Sequence, residues 1–373
     1  MLGHVGRLLK GRPPCFKGAE CLHDRAGRAL GPTAKIADAN VAVAWHWPER
    51  LNFCVARKSS RTSLPGSLRR TKAFFIANLV LWGVIGGWYV FQPPARQAEV
   101  SRLVGNCFDS RKQVTAFDVA WDLWQLYYSK DYVSVTGAEK DTQIYGGLPV
   151  LTRTISTHSL RVLSNKGFIT GYSDELGDPV WTAYQVRDGK FGEPPPRPDE
   201  FTVDSRTVAR IEPEDYARSG YDRGHMAPNY VIAVHYGREA QEETFRMSNI
   251  CPQKHALNDG PWKQLEHRIA ANYPARFGEV WVLVGPVLGE HPSRLKRHVA
   301  VPDAFYMIVI DENEGRVRAE AFLFPQDTPV DADPGRYLTT IDEIERRTGF
   351  DFLGQLPDEA ENDLESRVAS RVW

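Results

Sequence analysis

Cysteine is scarce, and its spacing carries no pattern. Five occur in 373 residues: Cys15, Cys21, Cys54, Cys107 and Cys251. The number is odd and no CxxC pair is present, which excludes a dense disulfide framework and a thiolate zinc site of ordinary spacing. Cys107 and Cys251 are expected as unrelated buried thiols. Net charge is also nearly absent, −1 over the whole chain, but its distribution is uneven. Residues 1–72 carry 14 Lys/Arg against 4 Asp/Glu, and the remainder carries 43 acidic residues against 32 basic ones. An acidic body cannot steer a polyanion from long range, so any nucleic-acid site must be a local basic pocket. No internal repeat occurs. The hydrophobic content of 42% with 25% charged residues is that of a folded protein.

Long apolar runs are lacking with one exception. Residues 73–91, "AFFIANLVLWGVIGGWYVF", hold no charge and are long enough to span a hydrocarbon core of roughly 30 Å as a helix. Arg69, Arg70 and Lys72 precede the run, and Pro93, Pro94 and scattered charge follow it. The positive-inside rule then predicts a cytoplasmic N-terminus, with the body in the periplasm or outside the cell. No small-x-small cleavage site follows, so an uncleaved single-pass anchor is expected rather than a signal peptide. Residues 1–72 read as a basic, disordered tail, or the first 68 as sequence upstream of the true start. Residues 92–142 read as a linker, with a helix over 116–129 that packs on the body or continues as a stalk.

The body, residues 143–358, mixes strands and helices without βαβ alternation. This predicts an α+β fold with a mixed, largely antiparallel sheet. Strand-like pieces over 159–173 are broken by Gly167 and Gly171. The alternation of 179–186 predicts a half-buried strand. The proline-rich 192–201 reads as loop, as does 212–224, and 230–234 ("YVIAV") as a short strand. Helices are expected over 237–249 and 258–273, the second capped by Asn258 or Asp259 with Pro261 in its first turn. A buried strand follows at 279–288, a hairpin at 304–325, and a helix at 339–349 with a Thr340/Glu343 capping box and a stop at Gly349. Residues 359–373 read as an acidic, frayed tail.

Two stretches hold chemistry. "SGYDRGHMAPNY" (219–230) places Arg223 and His225 around Gly224. Histidine exchanges protons near neutral pH, and arginine offers a fork of donors for phosphate. A solvated Asp222–Arg223 turn is an equal reading of that stretch alone. "RMSNICPQKHALNDGPWKQLE" (246–266) adds Asn249, Asn258 and Glu266. Eight helical residues advance about 80° past two full turns, so Asn258 and Glu266 can lean toward one cleft. An amide oxygen with waters suits a hard ion such as Mg²⁺.

"YDRGHMAP", "MSNICPQ", "LNDGPW" and "LE", in this order and spacing, resemble the DNA/RNA non-specific endonucleases, the ββα-metal nucleases. "GYSDELGDPVWTAYQV", "EVWVLVGPVL", "VPDAFYMIVID" and "IERRTGFDFLGQLPD" extend the likeness over about 143–358. The resemblance implies a ββα-metal catalytic motif. In it His225 is the general base and Asn258 the direct ligand of a water-rich Mg²⁺, with Mn²⁺ or another divalent ion as alternatives. Glu266 holds metal-bound water, Asn249 braces the site, and Arg223 contacts the phosphate. Arg197 is the best match to a further family arginine. A helper arginine expected after the helix glutamate meets Ala270 instead, with Arg268 displaced. Asp222 is expected to fix the loop, and Ser248 and Gln253 to be structural. His235, His255 and His267 are expected to be incidental and Trp262 to be core. The implied substrates are DNA and RNA, cut without strong sequence preference. The membrane, through residues 73–91, is the other implied partner; a homodimer is open and no protein partner is legible. Two rivals remain: a metal-dependent phosphodiesterase on a narrower substrate, and a catalytically silent, membrane-tethered binding module.

Overall fold

A computed structural model describes residues 66–135, 143–152, 160–189, 193–296 and 298–373. The expectations for residues 1–65, including Cys15, Cys21 and Cys54, lie outside the described residues. The chain divides into two units, Met1–Arg70 and Thr71–Trp373. Of the first, only Gly66–Arg70 is described, as the opening of α1 (Gly66–Val90). Within α1, Arg70–Val90 is long and apolar enough to cross a membrane by length and composition. Most of its side chains, Phe74, Leu79 and Trp82 among them, are exposed.

The helix expected over 116–129 is present and packs on the body, and the described part of the linker holds a second helix before it. In chain order these are α2 (Pro94–Asn106) and α3 (Ala116–Tyr128). Pro94 suits a first turn. Thr115 and Asp118 build a reciprocal capping box on α3, with Asp118 N donating to Thr115 Oγ1 at 3.1 Å and Thr115 N to Asp118 Oδ2 at 3.0 Å. The same helix docks through Asp122, which takes two 2.7 Å bonds from the buried guanidinium of Arg276. Leu103, Val114, Val119 and Ala275 close an apolar cluster beside that pair.

After β1 (Val133–Ser134) and β2 (Val150–Leu151) come β3 (Leu160–Ser164), β4 (Ile169–Ser173) and β5 (Asp178–Arg187). Gly171 lies inside β4 rather than breaking it, with a register shift beside it. β5 is buried along nearly its whole length, not on one face. The reason is a layer on each side of the sheet. Trp181, Ala183, Trp281, Leu283, Ile308 and Ile310 face one core. Tyr184, Val186, Val282, Val284, Met307 and Val309 face the other. Alternate strand residues thus serve opposite cores.

β6 (Asp222–His225) leads into α4 (Asn229–Tyr236) and α5 (Arg238–Thr244). The run 230–234 is therefore helical, not a strand. Its apolar residues suit either element by periodicity, and packing decides: Val231 and Ile232 are fully buried in the second core. β7 (Ile250–Gln253) pairs antiparallel with β6 as a separate two-stranded sheet. α6 (His255–Leu257) then runs through a π-helical turn, Asn258–Trp262, into α7 (Lys263–Phe277). Neither Asn258 nor Asp259 caps a helix, because the helix does not start there. The turn is wide at Gly260, where a Cβ would meet Val330 O at 2.7 Å.

β8 (Glu279–Val287), β9 (Arg294–Leu295) and β10 (Val299–Ala300) follow. β11 (Ala304–Asn313) and β12 (Arg316–Pro325) form the expected hairpin. β13 (Leu338–Thr339) adds to β12. The main sheet reads β1-β12-β11-β8-β5-β4-β3, and its described pairs are antiparallel. α8 (Ile341–Thr348) begins at its Thr340 cap and ends at Gly349 with φ 75°. β14 (Phe350–Asp351) pairs with β2. Residues 359–373 are not frayed: α9 (Asp358–Glu365) buries Ala360 and Leu364, and Trp373 is 5% exposed in the second core.

Candidate active site

The antiparallel pair of β6 and β7 sets the frame. Its register matches Asp222 with Gln253, Gly224 with Cys251 and His225 with Ile250. Gly224 is required by close approach, since a Cβ there would meet Gln253 Oε1 at 2.4 Å. Alternation along β6 sends Arg223 and His225 to one face and Asp222 to the other. The chain leaving His225 is pinned by Asn249, which is fully buried. Its Oδ1 accepts from Ala227 N at 2.9 Å, and its Nδ2 donates to Ala227 O and Thr244 O at 3.0 Å. Every polar atom of that side chain is engaged by backbone, so Asn249 fixes the exit of β6.

His225 sits between two phenyl rings, Phe201 at 5.5 Å and Phe245 at 5.1 Å between centroids. Its Nε2 is buried and has no hydrogen-bond partner. Burial, aided by the positive charge of Arg197, pulls the imidazole down to about 3. The ring is therefore neutral near pH 7, with a buried polar atom unsatisfied. Two guanidiniums flank the same aromatic wall. Arg223 lies 5.3 Å over Phe201, and Arg197 lies 5.2 Å over Phe245. Arg223 Nη2 donates to Pro213 O at 2.8 Å, while its Nε is buried without a partner. Arg197 is exposed, on the loop after the proline run. A neutral imidazole beside two cations can take a proton from a water and face an anion.

A second group gathers at the start of β6. Asp222 Oδ2 accepts from Asn258 Nδ2 at 2.9 Å and lies 2.8 Å from His255 Nδ1. Asp222 thus bonds two side chains rather than its own loop. Its hydrogen bond and charge raise the pKa of His255. With Nδ2 held by Asp222, Oδ1 is the polar atom of the Asn258 side chain left to serve as a ligand. Asp222 and His225 are three strand residues apart, about 10 Å at roughly 3.3 Å per residue.

Glu266 lies on the first turn of α7, half-buried. Burial raises its carboxyl to about 8, against the pull of the Trp262 indole and Lys263. The buried Tyr184 hydroxyl, itself without a partner, feels the Glu266 charge.

The structure therefore gathers His225, Arg223 and Arg197 around one aromatic wall, with Asn249 bracing it, and ties Asn258 to Asp222. Phe201 and Phe245 escaped the sequence reading, because each comes from a segment with no motif of its own. His255 is exposed, as expected of a surface histidine, yet it bonds Asp222. Arg268 does not reach this group: it lies 5.9 Å over Tyr273, and Ala270 is core. His235 is held down to about 4 by burial, with Nε2 3.4 Å from Ala270 O. His267 packs on Tyr230 at 5.2 Å. Trp262 is core, against Phe305 and Phe324. Ser248 is structural, bonding Asp204 at 2.6 Å.

Residues 149–359 match the family model described as DNA/RNA non-specific endonuclease. A nuclease of Serratia marcescens is 35% identical over 167 residues, covering 42% of this chain and 61% of that protein's length. A nuclease of a Nostoc species is 29% identical over 213 residues, 54% of this chain and 76% of its own. Human mitochondrial endonuclease G is 30% identical over 208 residues, 51% of this chain and 68% of its own. Among solved structures, an EndoG/EndoGI complex matches with a TM-score of 0.50 at 24% identity, over 58% of this chain and 91% of that one. At that identity the likeness is one of fold.

Proposed function

The chain belongs to the DNA/RNA non-specific endonuclease family, and on that premise we propose that it hydrolyses phosphodiester bonds of both polymers without strong sequence preference. The observation that carries the reading is the neutral His225, its orphaned Nε2 buried between Phe201 and Phe245 and flanked by Arg197 and Arg223. His225 takes a proton from water as the water oxygen bonds to phosphorus. The P–O3′ bond breaks, and the leaving oxygen takes a proton from solvent. The products are a 5′-phosphate and a 3′-hydroxyl. Arg223 and Arg197 hold the phosphate oxygens, contacts that are the same for every base sequence.

We read β6, β7 and α7 as the ββα-metal motif. The donor set fits a hard divalent ion such as Mg²⁺: Asn258 offers a neutral oxygen whose amide nitrogen is held by Asp222, and Glu266 offers a half-buried carboxyl able to hold water. Such an ion supplies charge stabilisation to the phosphate and the leaving oxygen. Asn249 keeps the exit of β6, and so the ring of His225, in place. Residues 73–91 serve as the membrane anchor, with the catalytic body on the side opposite the basic flank. A reporter fused after residue 100 reads that topology, and a cytoplasmic signal contradicts it.

The test uses the full chain in detergent micelles, incubated with supercoiled plasmid and with single-stranded RNA. With Mg²⁺ both polymers are cut, and with EDTA neither is. A protein that leaves both intact under Mg²⁺, Mn²⁺ and Ca²⁺ contradicts the proposal.

A further inference from the structure

Away from β6 and β7, the C-terminal elements bring five carboxylates together. Asp342 and Glu345 stand on α8, Asp351 ends β14, and Glu361 and Glu365 stand on α9. The helical pairs are three and four residues apart, so each presents two acids on one face. Oxygens of Asp342, Glu345 and Glu365 lie within 4.8 Å of one another, and so do those of Asp351, Glu361 and Glu365. Glu365 belongs to both sets.

Two further observations point to a ligand there. Glu365 is only 5% exposed, and its Oε1 has no hydrogen-bond partner. Secondly, the cations adjacent in sequence are turned elsewhere. Arg346 and Arg347 both pair with Glu343, and Arg367 pairs with Asp363. Among the described residues, no Lys or Arg pairs with any of the five acids. A carboxylate buried among like charges, as Glu365 is, is costly without a counter-charge.

We propose that Asp342 and Glu345 of α8 and Glu365 of α9 bind one calcium ion that clasps α9 to α8, with Asp351 and Glu361 adding negative charge beside it. The chemistry favours calcium among hard cations. The set is all oxygen, and calcium takes six to eight oxygens at about 2.3–2.6 Å in adaptable geometry, whereas magnesium demands a small octahedron and keeps its water. Within each set the oxygens lie close enough together to share one ion at calcium's bond lengths of about 2.3–2.6 Å. Glu345 also accepts from Phe352 N at 2.7 Å, which orients its carboxylate. The clasp secures the segment leading to the buried Trp373.

The test is thermal unfolding of the chelator-stripped full chain in dodecyl maltoside at pH 7.5, followed by tryptophan fluorescence against CaCl₂ and, separately, MgCl₂. Calcium at a hundredfold excess over its dissociation constant raises Tm by roughly 5 °C, and magnesium by much less. The rise persists in Asn258→Ala, which separates this site from the proposed catalytic metal. It is lost in Glu365→Gln, whose metal-free form unfolds no earlier than wild type. No calcium-dependent rise in wild type, or an equal rise in Glu365→Gln, overturns the proposal. Should Glu365→Gln fail to fold, Glu361→Gln takes its place and weakens the calcium midpoint by about tenfold; an unchanged midpoint overturns the proposal as well.

Discussion

At the scale of single residues, His225 is set apart by its surroundings rather than by a bonded partner. Phe201 and Phe245 strip its ring of water, and Arg197 adds a positive charge. Burial is the larger cause and the arginine the smaller. Arg197→Gln therefore moves the His225 pKa upward from about 3 but leaves it below 6.5. The acid limb of kcat/KM against pH is predicted to shift upward with it, and KM for polymer to rise. An unmoved limb would show that Arg197 does not act on the base. The candidates His225, Arg223, Asn249, Asn258 and Glu266 stood out in the sequence because they lie in two short stretches, 219–230 and 246–266. Phe201 and Phe245 stayed hidden because an aromatic wall is a product of tertiary packing. The link from Asp222 to Asn258 was hidden likewise, since nothing in the spacing says which of several polar neighbours a carboxylate chooses.

At the scale of elements, the reading succeeded where local chemistry decides and failed where packing decides. The α8 helix has a cap residue at one end and a glycine at the other, and it lies where these signals put it. The 304–325 hairpin is fixed by two apolar runs and a polar turn. Residues 230–234 went wrong because five apolar residues fit a buried helix as well as a strand. The linker was left open between docking and stalk, since a buried pair such as Arg276–Asp122 joins residues 154 apart in sequence. That pair yields a prediction. Arg276→Met leaves the Asp122 carboxylate buried and alone, and should cost about 3–5 kcal/mol in urea unfolding. Adding Asp122→Leu should recover most of that loss. A single variant as stable as wild type would mean that α3 docks through its apolar cluster alone.

At the scale of the whole molecule, buried titratable groups set opposing pH dependences. The carboxyls of Glu266 and Glu365 are raised to about 8 and about 9 from an ordinary 4.5. Between those values the folded protein holds protons that the unfolded chain has released. Metal-free stability therefore falls as pH rises from about 5 to about 9. His225 acts on the other side: its pKa falls to about 3 from 6.5, so the unfolded chain takes the proton first and stability falls as pH drops through that window. Metal-free Tm is expected to peak in mildly acidic buffer, and Glu365→Gln to flatten the alkaline decline. A decline of unchanged slope in that variant would remove Glu365 from the account. The antiparallel architecture was legible from the absence of βαβ alternation. Burial on both faces was not, because the layer covering each face comes from distant segments: α8 and α9 on one side, α4 and α7 on the other.

The central claim is that His225 is the proton acceptor of a phosphodiester hydrolase. The most direct measurement is kcat/KM on a short duplex under saturating Mg²⁺, for wild type and His225→Ala, with and without added imidazole. Removing a general base should lower the rate by about 10²–10⁴. Imidazole entering the gap between Phe201 and Phe245 should restore part of it, with a pH dependence that follows the free base. Undiminished cutting by His225→Ala would contradict the account.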